Sequence, residues 1–103
     1  MTAVRKKSLM VNKEESKNMA TKVKFFNAKW CGPCKQMKPH IDALVKEGYS
    51  IEEIDIDDFP SLAEEAEVRG VPTLMIYDDT GMQERVVGYQ DYDRLKKRID
   101  IYS

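Results

Sequence analysis

Trp30-Cys31-Gly32-Pro33-Cys34 constrains this chain more than any other stretch, because it sets two thiols one helical turn apart where the backbone must turn. They are the only cysteines in the sequence. Two thiolates at this spacing also make half of a tetrahedral zinc site, which needs two further ligands. The sole histidine is His40 and there is no second cysteine pair, so the ligand count speaks against zinc and no metal is expected. A redox dithiol is the stronger reading. Pro33 fixes φ near the helical value and lacks an N–H where none is needed, in a first helical turn. Cys31 is then expected to cap that helix. Unpaired N–H groups and the macrodipole at a helix N-terminus favour a thiolate, lowering a thiol pKa from about 8.5 to roughly 3.5–7.5. Cys31 is the expected nucleophile and the more exposed thiol. Cys34, inside the first turn and toward the core, is the expected resolving thiol.

The surrounding pattern alternates strands and helices. Residues 22–28 run apolar up to the motif and read as a buried central strand. A helix follows to about Glu47, with Met37, Ile41, Leu44 and Val45 as its inner stripe, Lys35, Lys38, Asp42 and Lys46 toward water, and Gly48 as its stop. Ile51–Asp57 reads as a second strand, with Ile54 and Ile56 on one face and Glu53 and Asp55 on the other. Ser61-Leu62-Ala63-Glu64 has the form of a capping box opening a short helix that ends near Gly70. Thr73–Tyr77 and Gln83–Val87 read as strands joined by a turn at Asp78-Asp79-Thr80-Gly81. Asp91 can cap a last helix that buries Tyr92, Leu95, Ile99 and Tyr102.

With these elements in view, the sequence resembles the thioredoxin family. Lys29–Lys35, reading KWCGPCK, is similar to its active-site segment, and Pro39 falls where the family's long helix carries a proline. Arg69-Gly70-Val71-Pro72-Thr73 is similar to the segment with a cis proline facing the dithiol, and Gly88, sixteen residues after Pro72, matches a glycine near the substrate groove. The resemblance covers about residues 22–102. It implies an α/β thioredoxin fold, a central mixed β-sheet flanked by helices. It also implies a dithiol-disulfide oxidoreductase in which Cys31 attacks a protein disulfide and Cys34 resolves the mixed disulfide. Trp30, Gly32, Pro33, Val71, Pro72, Gly88 and Tyr89 would then bind the substrate protein. No cofactor is expected. The implied partners are disulfide-containing proteins and a thioredoxin reductase as electron source. His40 reads as an ordinary surface helix residue.

Two positions depart from the family's pattern. Thioredoxins usually carry a buried aspartate six residues before the first cysteine, and here that residue is Phe25. The family commonly sets a lysine beside it on the next strand, and here that position is Glu53. Glu53 either stands in as proton acceptor for Cys34 or turns to solvent, leaving water to take the proton. The segment after Cys34 is also shorter than usual, an outline shared with small phage and archaeal redoxins and with glutaredoxins. A glutathione-coupled reductase and a redox-inert binding module are therefore the alternatives. Gly32-Pro33 after Trp30 favours the thioredoxin reading over the first, and the intact cysteine pair argues against the second.

Size and charge fit one small domain. The chain has 103 residues, 42% of them hydrophobic, and a net charge of −1. There is no basic stripe for nucleic acid and no apolar run that would span a membrane, so neither partner is expected, and a monomer is. Residues 1–21 hold five Lys/Arg against two Glu and form a basic segment, either a tail or a short strand (Leu9–Val11) and helix (Asn12–Met19). Residues 22–103 make up the thioredoxin-like domain. The longest apolar run in the basic segment, Leu9-Met10-Val11, is too short for a secretory signal, so a cytoplasmic, reducing location is expected.

Overall fold

A computed structural model describes residues 21–102. Over that span the order is β1 (Lys22–Asn27), α1 (Gly32–Lys46), β2 (Ser50–Asp55), α2 (Pro60–Glu65), β3 (Thr73–Asp78), β4 (Gly81–Val87) and α3 (Tyr92–Asp100). The strand and helix, or tail, expected within residues 1–20 lie outside the described residues. The sheet runs β2-β1-β3-β4, with β2 parallel to β1 and the other pairs antiparallel, a mixed sheet as expected. The parallel pair requires a crossover, which α1 supplies.

Alternation along the strands divides the core between two faces. Val23, Phe25, Leu74, Ile76 and Val86 meet Met37, Ile41 and Leu44 of α1 and Leu95 and Ile99 of α3. Phe26, Ile54 and Met75 meet the segment after α2, at Ala66 and Val68, on the other face. Burial of each large apolar side chain contributes about 1.5–3 kcal/mol. Because Phe25 is directly paired with Glu53, that carboxylate is on the α1 side of the sheet.

Several boundaries differ from the sequence reading. Val45 is 44% exposed and not part of the inner stripe. One residue beyond Leu44 is about 100° further round the helix, outside the arc that α1 buries. The second strand stops at Asp55, whose carboxylate accepts the N–H groups of Asp57 and Asp58 and turns the chain. Ile56 thus lies beyond the strand and packs against both core clusters. Ser61 caps nothing: Pro60, pre-set for a first helical position, starts α2 two residues earlier than a Ser61 cap would, with Phe59 as its uncapped N-cap. That helix ends at Glu65, well short of Gly70. Strand β4 begins at Gly81, since Asp79-Thr80 alone form the turn. The cap by Asp91 is realised, with Oδ1 accepting the Arg94 N–H at 3.0 Å, and Gly48, at φ 105°, follows the C-cap of α1.

Candidate active site

The dithiol sits where β1 hands the chain to α1. The Cys31 N–H donates to the Ala28 carbonyl at 3.1 Å, closing the turn out of the strand. Cys31 is the N-cap, with Pro33 in the first turn, and its Sγ accepts the Cys34 backbone N–H at 3.1 Å. That N–H is one of the donors a helix start leaves unpaired, so the first helical turn favours negative charge on Cys31. Cys31 and Cys34 are joined as a disulfide with Cα atoms 5.2 Å apart, within the range the bond requires. The expected difference in exposure is absent in this oxidised form: both cysteines are 4% exposed. What separates them is position. Cys31 is the cap, whereas Cys34 lies inside α1, and both belong to the buried core cluster.

The loop before β3 faces a second turn. The Val71–Pro72 bond is cis, as expected. Gly88, in the positive-φ region at 99°, donates its N–H to the Pro72 carbonyl at 2.9 Å, and Thr73 Oγ1 donates to the Gly70 carbonyl at 2.7 Å. Trp30 is 67% exposed, Gly32 and Pro33 are exposed and Tyr89 is 40% exposed. Val71 and Gly88 are half-buried. Pro72 is buried, packed beneath the surface instead of standing on it.

A cavity of about 230 Å³ opens beside Cys34, lined also by Phe25, Ala28, Lys38 and Glu53 among others. Both Glu53 carboxylate oxygens lie 2.8 Å from Lys38 Nζ. This hydrogen bond is the main cause holding the Lys38 ammonium above its usual range. Glu53 therefore neither lies buried under Cys34 nor swings free, but stands at the edge of the cavity that Cys34 lines.

The family model for thioredoxin matches residues 6–101. This chain belongs to the thioredoxin family. A thioredoxin of Chlamydia caviae is 41% identical over 80 residues, 76% of this chain and 78% of its own length. Among solved structures, a point-mutant thioredoxin from Halobacterium salinarum superposes with a TM-score of 0.77 at 40% identity, covering 84% of this chain and 77% of its own. A structure from work on thiol resolution in yeast mitochondrial 1-Cys peroxiredoxin via the glutathione and thioredoxin systems reaches 0.73 at 30% identity, covering 89% and 92%. The fold is the thioredoxin fold and the chain is a dithiol-disulfide oxidoreductase of the thioredoxin type.

Four side-chain contacts of the motif and its helix escaped the sequence reading. Trp30 Nε1 donates to Asp57 Oδ2 at 2.9 Å, fixing the exposed indole beside the dithiol. Lys29 Nζ reaches Asp55 at 3.3 Å and Asp58 at 3.4 Å, tying the motif to the same turn. The Asp57 N–H, then that of Asp58, together with the Lys29 ammonium, holds the Asp55 carboxyl below its usual value. His40 Nε2 meets the Tyr89 hydroxyl at 3.1 Å, joining α1 to the loop after β4. In sequence Asp55 and Asp57 read as the end of a strand and His40 as an ordinary surface residue. Among the described residues no helix is long and apolar enough to cross a membrane.

Proposed function

We propose that this member of the thioredoxin family is a cytoplasmic, monomeric reductant of protein disulfides, recharged by a thioredoxin reductase. The Cys31 thiolate attacks one sulfur of the substrate disulfide, forming a Cys31–substrate bond and releasing the other sulfur as a thiolate. Cys34, deprotonated, then attacks Cys31 Sγ, forming the Cys31–Cys34 disulfide and releasing the second substrate thiolate. Two electrons pass from the dithiol to the substrate, and the reductase returns two. The observation that carries this order is the N–H of Cys34 donated to Cys31 Sγ at the start of a 15-residue helix, which favours charge on Cys31.

The substrate chain is taken to lie extended along Trp30, Gly32, Pro33, Val71, Gly88 and Tyr89, with Pro72 supporting the groove from beneath. Glu53 is the proposed proton acceptor for Cys34, supported by the cavity they both line. A carboxylate that reaches the thiol through water removes the proton without being buried itself. The function is tested by supplying electrons from NADPH through a thioredoxin reductase or, separately, from glutathione and glutathione reductase, with insulin as the disulfide substrate. Reduction should depend on the former. A Cys34→Ser variant should retain substrate proteins as mixed disulfides on Cys31, and failure to retain any would favour a redox-inert binding module.

A further inference from the structure

His40 is the single histidine of the chain, half-buried on α1 and six residues after Cys34. Its Nε2 lies 3.1 Å from the Tyr89 hydroxyl, and the rings meet edge to face with centroids 6.1 Å apart and planes at 72°. Tyr89 directly follows Gly88, whose N–H is held by the Pro72 carbonyl at 2.9 Å. The Gly88-Tyr89 segment is thus tied at one end to the loop before β3 and at the other to the helix that bears the dithiol. Between the ties is a glycine at φ 99° with no atom within 4 Å of where a Cβ would stand, so no side-chain packing stiffens the backbone there. A tyrosine hydroxyl can donate to a neutral imidazole or accept from its N–H, so the contact does not depend on one tautomer.

We infer that His40 is a positioning residue for substrate affinity: through the Tyr89 hydroxyl it holds the Gly88-Tyr89 wall of the groove in the shape that receives an extended peptide flanking a disulfide. This rests on the reading of that groove given above. The electron exchange at Cys31 does not pass through His40, so a small disulfide that needs no groove should not sense its loss. One hydrogen bond of ordinary strength corresponds to about a two- to tenfold change in affinity.

The test uses the full chain, reduced beforehand, in single turnovers with insulin and with dithiodipyridine. His40→Ala should raise the insulin concentration for half-maximal rate about two- to tenfold, leaving the limiting rate and the dithiodipyridine reaction unchanged. His40→Gln, which keeps a donor and acceptor at similar reach, should restore most of the affinity. Tyr89→Phe should weaken insulin binding by a similar factor, and the double variant should be no worse than either single one. An unchanged half-maximal concentration in His40→Ala, additive losses in the double variant, or a parallel fall in the dithiodipyridine rate would overturn the inference. If the unaltered chain reacts with dithiodipyridine yet shows no saturation with insulin, the groove reading itself fails.

Discussion

Replacing Glu53 with Gln keeps the side chain's size and removes its basicity, and so isolates the proton that Cys34 must lose. Phe25, 1% exposed, offers no acceptor beside the thiol, and Cys34 is 4% exposed, so desolvation works against its thiolate. Glu53 shares the cavity but gives both oxygens to Lys38 at 2.8 Å, so the proposed proton transfer would run through water. A general base in direct contact contributes about 10²–10⁴ in rate, and this arrangement belongs at or below the lower end. A slowing of about 10- to 100-fold is expected, equivalent to about 1.4–2.7 kcal/mol of barrier. Stability should change little, because an exposed ion pair of this kind contributes about 0–1 kcal/mol. The assay loads Cys31 with a chromophoric thiol as a mixed disulfide and follows its release by Cys34 between about pH 6 and 8, the window below an ordinary thiol pKa. The first attack by Cys31 is read separately on the same protein. Resolution at the unaltered rate in Glu53→Gln would refute the carboxylate and leave solvent as the acceptor.

Phe25→Asp supplies the converse perturbation: release of the mixed disulfide should quicken at neutral pH, while chemical denaturation should show a loss of about 3–5 kcal/mol from the emptied core position. At alkaline pH, Tyr49 carries a testable linkage. Burial, then its 2.6 Å bond to Asp100, raises its pKa above 10.0 against the opposing effect of Lys96, whose own value is raised to about 12 chiefly by the bond to Tyr49. A raised folded value means that the protonated hydroxyl's contribution is complete below pH 10 and lost as pH climbs through the folded value. Urea midpoints should therefore fall less steeply from about pH 10 upward in Tyr49→Phe than in the unaltered protein, and equal slopes would contradict this. At the acid end Asp55 has the opposite sign. Its lowered value makes its contribution complete above 3.8 and lost as pH falls through the folded value, so Asp55→Asn should flatten the acid limb of the same titration.

The dithiol, the central strand, the inner stripe of α1 through Met37, Ile41 and Leu44, and the cap at Asp91 were legible because each is written in neighbouring residues. Periodicity over-reached at Val45, since spacing alone does not say how wide an arc the partner elements cover. The supposed cap at Ser61 failed because the residue before it is a proline that starts a helix by itself. What the sequence could not display were pairings across distant segments. Lys38 and Glu53 are 15 positions apart, Trp30 and Asp57 are 27, and His40 and Tyr89 are 49. Nothing in the sequence points from one member of a pair to the other, and only the crossover of α1 and the return of β4 bring them together. Phe25 and Glu53 were the exceptions, conspicuous in sequence because they break a familiar pattern.

Cys31, which caps α1 and carries the Cys34 N–H on its sulfur, is the proposed nucleophile. Iodoacetamide labelling of the fully reduced chain, with each cysteine peptide quantified by mass spectrometry across pH, tests that most directly. Cys31 should be alkylated well ahead of Cys34, with a midpoint below the ordinary thiol value of about 8.5. Equal labelling of the two, or faster labelling of Cys34, would contradict it.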